Sequence, residues 1–290
     1  MRVFFTGATG FIGQHTLTAL LAAGHTVTAL SRMPRSGENV RWLTGAMSDD
    51  WREELAQCDA LLHLASAGVT DSVSAEDAFS ANVVAPIALL RQAIDAGCLT
   101  WTLCGSCFEY GREGERKTAI SADCALAPVG TYSASKAAFS LMAMEHARKA
   151  GARARLMRPF QVYGEGEAPA RLWASMRAAA VAGKDFPMTP GEQVRDFIAV
   201  EGVARALTEA CLWNQNAPAT EIWNVGTGRP QTLLEFSLFW WARWKAKGHL
   251  LPGALPYRDR EVMRYVPSVD SLWSIHGTDG TVKAAATTDG

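Results

Sequence analysis

A short apolar run, Val3-Phe4-Phe5-Thr6, opens directly onto Gly7-Ala8-Thr9-Gly10-Phe11-Ile12-Gly13. A periodic apolar segment follows through Leu17, Leu20 and Leu21 and stops at Gly24. A strand, a glycine turn and a helix in this order leave few folds open. The glycines permit the tight turn, let backbone approach a pyrophosphate, and allow close helix–strand packing. The helix N-terminus offers unpaired N–H groups and a positive dipole end to phosphates. The spacing is G-x-x-G-x-x-G, and it predicts a dinucleotide site over Gly7, Gly10, Phe11, Ile12 and Gly13.

The strand–helix alternation continues. Residues 26–30, 40–43, 60–64, 99–105, 153–158 and 222–225 read as short apolar strands. Residues 49–57, 75–96, 133–150, 172–182, 202–212 and 233–245 read as helices. This predicts an α/β fold with a parallel, doubly wound sheet, whose ligands bind at the carboxyl ends of the strands. After Gly164 the pattern loosens into a Pro/Gly-rich stretch and a short extended piece at 194–200. We therefore expect a dinucleotide-binding unit at 1–165, with 196–225 returning to it. Segments 166–195 and 226–273 would form a smaller C-terminal lobe for the substrate. Residues 274–290 are small, polar and aperiodic, which predicts a frayed tail. Trp240, Trp241 and Trp244 are most simply packing residues, and no internal repeat is found.

Composition excludes several function classes. The 290 residues are 48% hydrophobic, which suits a large core. The net charge of -1 gives no reason to expect nucleic acid or an anionic membrane as partner. No apolar run reaches the ~18 residues of a membrane helix, and the apolar start is too short for a signal peptide. Six cysteines dispersed through apolar segments suit reduced thiols in a cytoplasmic protein. Cys104-Gly-Ser-Cys107 has no second pair and no His at ligand spacing, so no metal is expected.

Tyr132-Ser133-Ala134-Ser135-Lys136 opens the helix at 133–150. Four residues apart on a helix is one face, so a phenol and an ammonium can act on one ligand. A nearby cation lowers a phenol's pKa and fits it to pass a proton to or from an alcohol oxygen. The plain alternative is a Tyr and a Lys on a solvated helix face. At the end of the second strand, NAD-binding units place an Asp or Glu for the ribose 2′-hydroxyl. Here Ser31-Arg32 stands there, with Arg35 close behind. A hydroxyl and a guanidinium attract a 2′-phosphate, so NADP(H) is expected over NAD(H). Ordinary surface arginines are the alternative. Asn82, in the middle of the helix at 75–96, reads most simply as a solvated amide.

Eight motifs now stand in order: TGATGFIG, HLAS, Asn82, GSCFEYG, YSASK, RPFQVYG, VRDFIAV and WNVGTGRP. From residue 1 to about 272 the chain resembles the extended short-chain dehydrogenase/reductases, the nucleotide-sugar epimerases, dehydratases and reductases. The resemblance implies a Rossmann unit with the cofactor on its sheet and a nucleotide-sugar in the cleft. It implies cofactor contacts at Leu64, Ala65 and Ser66, at Asn82, and at Pro159 and Val162. Tyr132 would be the acid/base on a sugar oxygen. Lys136 would hold the nicotinamide ribose and lower the Tyr132 pKa, and Ser106 would bond the reacting oxygen. Arg195 and Arg258 look like the arginines that clamp the pyrophosphate, with Phe108 and Gln161 also at the substrate. In relatives the helices at 75–96 and 133–150 pair across a homodimer.

Departures from the pattern narrow the activity. The dehydratases carry acidic residues just after the Ser/Thr, where this chain has Cys107 and Phe108. Decarboxylases use a Glu where Phe108 stands. Neither replacement moves protons usefully, which disfavours both activities. Ala46 replaces the usual Asp beside the adenine, and Gln161 replaces the usual Asn. Ser31-Arg32 and a compact C-terminal lobe favour an NADPH-dependent 4-keto reductase, of the CDP-abequose and paratose synthase type, acting on a nucleotide-linked 4-keto-6-deoxyhexose. A 4-epimerase with tightly held NAD is the alternative. A non-catalytic NADP(H) sensor is a third reading, although sensors typically lose the Tyr/Lys pair.

Overall fold

The structure is a computed structural model describing residues 1–68, 73–212, 219–259 and 261–273. The tail expected at 274–290 lies outside the described residues. In chain order the first half runs β1 (Arg2–Thr6), α1 (Phe11–Ala22), β2 (Thr26–Ser31), β3 (Val40–Thr44), α2 (Arg52–Ala56), β4 (Ala60–His63) and α3 (Ala75–Phe79). A π-helical turn (Ser80–Val84) then leads to α4 (Ala85–Asp95), β5 (Thr100–Cys104), a 3-10 turn (Cys107–Glu109), α5 (Gly111–Glu115), α6 (Thr131–Ala150) and β6 (Arg153–Pro159). The second half holds β7 (Gln161–Tyr163), α7 (Leu172–Val181), β8 (Phe186–Met188), β9 (Val194–Ala199), α8 (Val200–Ala210) and β10 (Thr220–Val225). It ends with β11 (Pro230–Thr232), α9 (Leu233–Arg243), β12 (Leu250–Pro252) and β13 (Arg264–Tyr265).

Seven strands form one parallel sheet in the order β10-β6-β5-β4-β1-β2-β3. Chain direction across the sheet reverses between β1 and β4, the switch point where doubly wound sheets bind ligands. The period of two along β1 sends alternate side chains to opposite faces. Phe4 joins the layer of Leu90, Trp101 and Phe139. Val3 and Phe5 join that of Leu20, Val203 and Leu207. Phe4, Phe5, Trp101 and Phe139 have no exposed surface, and truncating any one to Ala would cost about 3–5 kcal/mol.

Beyond this sheet, β9 pairs with β7 and β13 in parallel and with β11 antiparallel. An aromatic cluster of Trp173, Phe197, Phe236 and Trp241 packs α7 against α9, with Trp240 and Trp244 partly buried on it. The short strands β7, β8, β11, β12 and β13 have no counterpart in the sequence reading, because two or three residues carry no readable period.

Three expected helices differ in detail. The helix at 75–96 is interrupted by the π turn at Ser80–Val84. Pro86, just beyond it, has no N–H to give the carbonyl four residues back, and the widened turn absorbs the misfit. The helix expected at 49–57 is confined to α2, since Asp49 caps the Ala46 N–H and the Trp51 N–H bonds Gln92. The helix expected from 202 starts earlier, at Val200.

Candidate active site

The glycine turn packs where the sheet reverses. Gly7 has φ +86°, and a Cβ there would lie 2.5 Å from the Ala65 nitrogen and 2.7 Å from the Leu64 carbonyl carbon. A Cβ on Gly13 would fall 1.9 Å from the Gly7 oxygen. These two glycines serve helix–strand packing, and Leu64 and Ala65 face the turn. Gly10 is different. It is exposed, and a Cβ there meets only the Gly7 oxygen at 3.4 Å. Gly10 is the N-cap of α1, with no side-chain cap and no acidic residue in the first turn. A space kept open beside uncapped N–H groups fits a pyrophosphate, so the residues present suit a dinucleotide. Phe11 and Ile12 stand half-buried on this turn, and Ser66 is exposed after β4.

At the end of β2, Ser31 is buried and its hydroxyl accepts the Met33 N–H. Arg32 and Arg35 are exposed. Pro159 is buried at the end of β6, and Val162 packs partly into the α1/α8 layer.

Asn82 overturns the plain reading of a solvated amide. It is 2% exposed. Its oxygen accepts the Ala67 N–H at 2.7 Å, and its amide donates to the Ala67 carbonyl and to Ser135 Oγ, both at 2.9 Å. Asn82 therefore ties the chain after β4 to α6 between Tyr132 and Lys136. The π turn carries it inward.

Lys136 is buried and donates to the Cys104 carbonyl at 2.6 Å. Tyr132 is half-buried, and the Ser106 side chain lies near its phenol. The expected lowering of the phenol pKa by the ammonium is not found. Burial pushes the Tyr132 phenol up, helped by Cys104, Glu109 and Cys107, while Ser106 pulls it down. The Lys136 charge is directed at the carbonyl of Cys104. Cys104 and Cys107 are buried free thiols raised by burial to about 11 and about 12, and thiols this high are poor nucleophiles. His63, at the end of β4, is buried against Phe139 and hydrogen-bonded to Thr6 Oγ1 at 2.7 Å. Burial and Lys136 push its pKa down to about 3, so it stays neutral.

Phe108, Gln161, Arg195 and Arg258 all line one cleft of about 260 Å³, with Cys107 and Glu261 among their neighbours. Arg258 is exposed. Arg195 does not stand free as a clamp would. It donates to the Val262 carbonyl at 2.7 Å and lies 3.4 Å from Glu261. Ser106 sits one residue from the cleft wall, as the cap of the 3-10 turn.

Several residues that organise this site were not singled out from sequence. Glu109 and Arg158 form an ion pair at 2.9 Å, with side chains 0% and 3% exposed. Arg158 also donates to the Tyr110 hydroxyl, which in turn donates to Asn224. Asp196 is buried and accepts the Thr227 and Gly228 N–H groups, binding the motif VRDFIAV to WNVGTGRP. Charged residues inside otherwise apolar motifs were the available signal.

Among the described residues, no group of His, Cys, Asp and Glu could hold a metal ion. No helix there is long and apolar enough to cross a membrane.

Comparison with known proteins bears on the family and the fold. The profile described as "NAD dependent epimerase/dehydratase family" matches residues 3–226. The chain is 27% identical over 277 residues to UDP-glucose 4-epimerase of Neisseria meningitidis serogroup B, covering 81% of this chain and 80% of that one. It is 27% identical over 297 residues to CDP-abequose synthase of Salmonella typhimurium, covering 93% and 90%. The solved structure of MoeE5 in complex with UDP-glucose and NAD superposes with a TM-score of 0.79 at 26% identity, over 93% of this chain and 90% of that one. By the profile match over residues 3–226, the chain belongs to the NAD dependent epimerase/dehydratase family of extended short-chain dehydrogenase/reductase enzymes.

Proposed function

We propose that this enzyme reduces a nucleotide-linked 4-keto-6-deoxyhexose to the 4-hydroxy sugar, with NADP(H) as cofactor. The observation that carries the reading is the placement of Tyr132 and Lys136 one turn apart on α6, with Lys136 bonded to the Cys104 carbonyl two residues before Ser106. A protonated phenol can give its proton to the oxygen that hydride addition leaves negative, as a reduction requires. An epimerase must first withdraw a proton. The cofactor supplies the hydride. Tyr132 gives its proton to the substrate oxygen, and Ser106 orients that oxygen. Lys136 holds the nicotinamide ribose. Gly7, Gly10 and Gly13 form the pyrophosphate turn, with Phe11, Ile12, Leu64, Ala65 and Ser66 around it.

Ser31 and Arg32 would receive the 2′-phosphate. Arg195 and Arg258 would take the sugar-nucleotide pyrophosphate, Arg195 exchanging Glu261 for it. Phe108 and Gln161 would face the sugar. In this reading 1–165 and 196–225 hold the cofactor, while 166–195 and 226–273 enclose the substrate. Cys107 and Phe108 lack the proton chemistry of a dehydratase. The CDP-abequose synthase relative supports a nucleotide-linked deoxysugar. The UDP-glucose 4-epimerase relative favours a second reading, epimerisation at C4 with retained NAD.

Purified protein is given NADPH and a panel of 4-keto-6-deoxy sugar nucleotides. Steady loss of NADPH absorbance with formation of the alcohol supports the reductase. Sugar interconversion without net NADPH loss would replace it with the epimerase. Binding without either would leave a sensor.

A further inference from the structure

Glu109 reaches two partners from a position with no exposed surface. One carboxylate oxygen accepts the Ser106 N–H at 2.7 Å, and the other accepts Arg158 Nε at 2.9 Å. Ser106 returns the contact, since its carbonyl accepts the Glu109 N–H at 3.1 Å. The turn 105–106 is built around this pair. A Cβ on Gly105 would lie 2.7 Å from the Glu109 oxygen and 3.0 Å from Arg158 Cγ. Arg158 is anchored in turn by the Tyr110 hydroxyl and the Ala122 carbonyl. The Tyr110 hydroxyl continues to Asn224 on β10, and Asn224 to the Ile120 carbonyl. One residue before this turn, the Cys104 carbonyl is held by Lys136. The short segment bearing Ser106 is thus fastened from both sides, by Lys136 of α6 and by Glu109.

A buried ion pair is weak evidence for stability, because desolving both charges offsets their attraction. What this pair does provide is a fixed direction for the peptide that carries Ser106. We propose that Glu109 is a positioning residue that, braced by Arg158, sets the Ser106 hydroxyl against the Tyr132 phenol. The proposal rests on the reductase reading for its catalytic consequence.

The test compares three variants. Glu109→Leu with Arg158→Met removes both charges together, so neither is left unpaired. Glu109→Gln keeps an oxygen for the Ser106 N–H but sets an amide NH2 against the Arg158 Nε–H, so it loosens the brace and leaves the bond to Ser106. Glu109→Asp keeps the charge but is one methylene short of spanning both partners. Each is measured for thermal midpoint, NADPH affinity, hydrogen exchange at the Ser106 amide, and kcat and KM on the 4-keto substrate. In the Leu/Met variant we expect fast Ser106 exchange and a kcat about tenfold lower or more, with KM and NADPH affinity unchanged. Glu109→Gln should lie between the wild type and the Leu/Met variant in both. A folded Leu/Met variant with wild-type exchange and wild-type kcat overturns the proposal. If that variant does not fold, Glu109→Asp decides, and wild-type exchange and kcat there overturn it equally. If the wild-type enzyme reduces none of the substrates while Ser106 exchange responds as expected, the reductase reading fails and the positioning role stands.

Discussion

The Lys136 ammonium donates to the Cys104 carbonyl at 2.6 Å, joining α6 to the last residue of β5. Tyr132, one turn earlier on the same helix, faces the Ser106 side chain instead of a backbone carbonyl. The two side chains should therefore separate by experiment. Tyr132→Phe is expected to lower turnover about 10²–10⁴-fold with unchanged thermal midpoint and NADPH affinity. Lys136→Met should lose turnover and also about 1–3 kcal/mol of stability, because it leaves a buried carbonyl unpaired. Steady-state kinetics and chemical denaturation measure both. A Tyr132→Phe enzyme with wild-type activity would remove Tyr132 from the chemistry.

Gly10 and Gly13 should also part company. A methyl on Gly13 meets the Gly7 carbonyl oxygen, so Gly13→Ala should unfold at a markedly lower temperature or fail to fold. Gly10→Ala has room within the protein and should keep its melting temperature in the absence of cofactor. Its loss should appear in NADP(H) binding, at least about tenfold by fluorescence titration. Equal effects of the two changes would mean that the turn is shaped by packing alone.

Arg32 is exposed at the end of β2 and is the residue assigned to the 2′-phosphate. Arg32→Asp replaces an attraction with a repulsion. The ratio of NADP(H) to NAD(H) affinity should fall by about tenfold or more, read from the two dissociation constants. An unchanged ratio would withdraw the cofactor preference.

His63 links stability to pH. Its folded pKa lies at about 3, below the ordinary 6.5, so the unfolded chain binds the extra proton between those values. The stabilisation is complete above about pH 6.5 and is lost as the pH falls toward about 3. The slope over that window should approach ~1.4 kcal/mol per pH unit. Unfolding free energies of wild type and His63→Gln across this range should diverge, with the variant the flatter. Parallel curves would mean that the histidine titrates freely.

Phe79 and Val84 in the α3–α4 helix, and Leu141 and Met142 on α6, are large apolar residues with 45% or more of their surface exposed. These two helices pack together, and we expect them to pair with a second copy as a homodimer. Light scattering should give a dimeric mass for the wild type and a monomeric one for Leu141→Glu with Met142→Lys. A monomeric wild type would mean that the apolar residues serve another purpose.

The central sheet was legible because short apolar strands alternate along the chain with longer helical segments. The glycine turn was legible because it sits between two such elements. Asn82 was not, since an amide in a helix reads as solvated unless the turn around it is known to be widened. Pro86 carried that information in plain sight. The direction of the Tyr132 shift was also hidden, because burial depends on β5 and on the loop before α6, which spacing does not report. Arg195 was found as a cleft residue, but its partner Glu261 lies far along the chain, and only the fold brings them together.

The π turn at Ser80–Val84 has a consequence for how the chain can vary. It contains one residue more than a regular helix would need over that span. Deleting a single residue there would swing the segment before it by about 100° relative to α4 and set Pro86 against a regular turn that it cannot complete. Asn82 would leave Ala67 and Ser135, so a shorter helix would disconnect the chain after β4 from α6. A change of length by one residue at this position should therefore be felt at the site as well as in the helix.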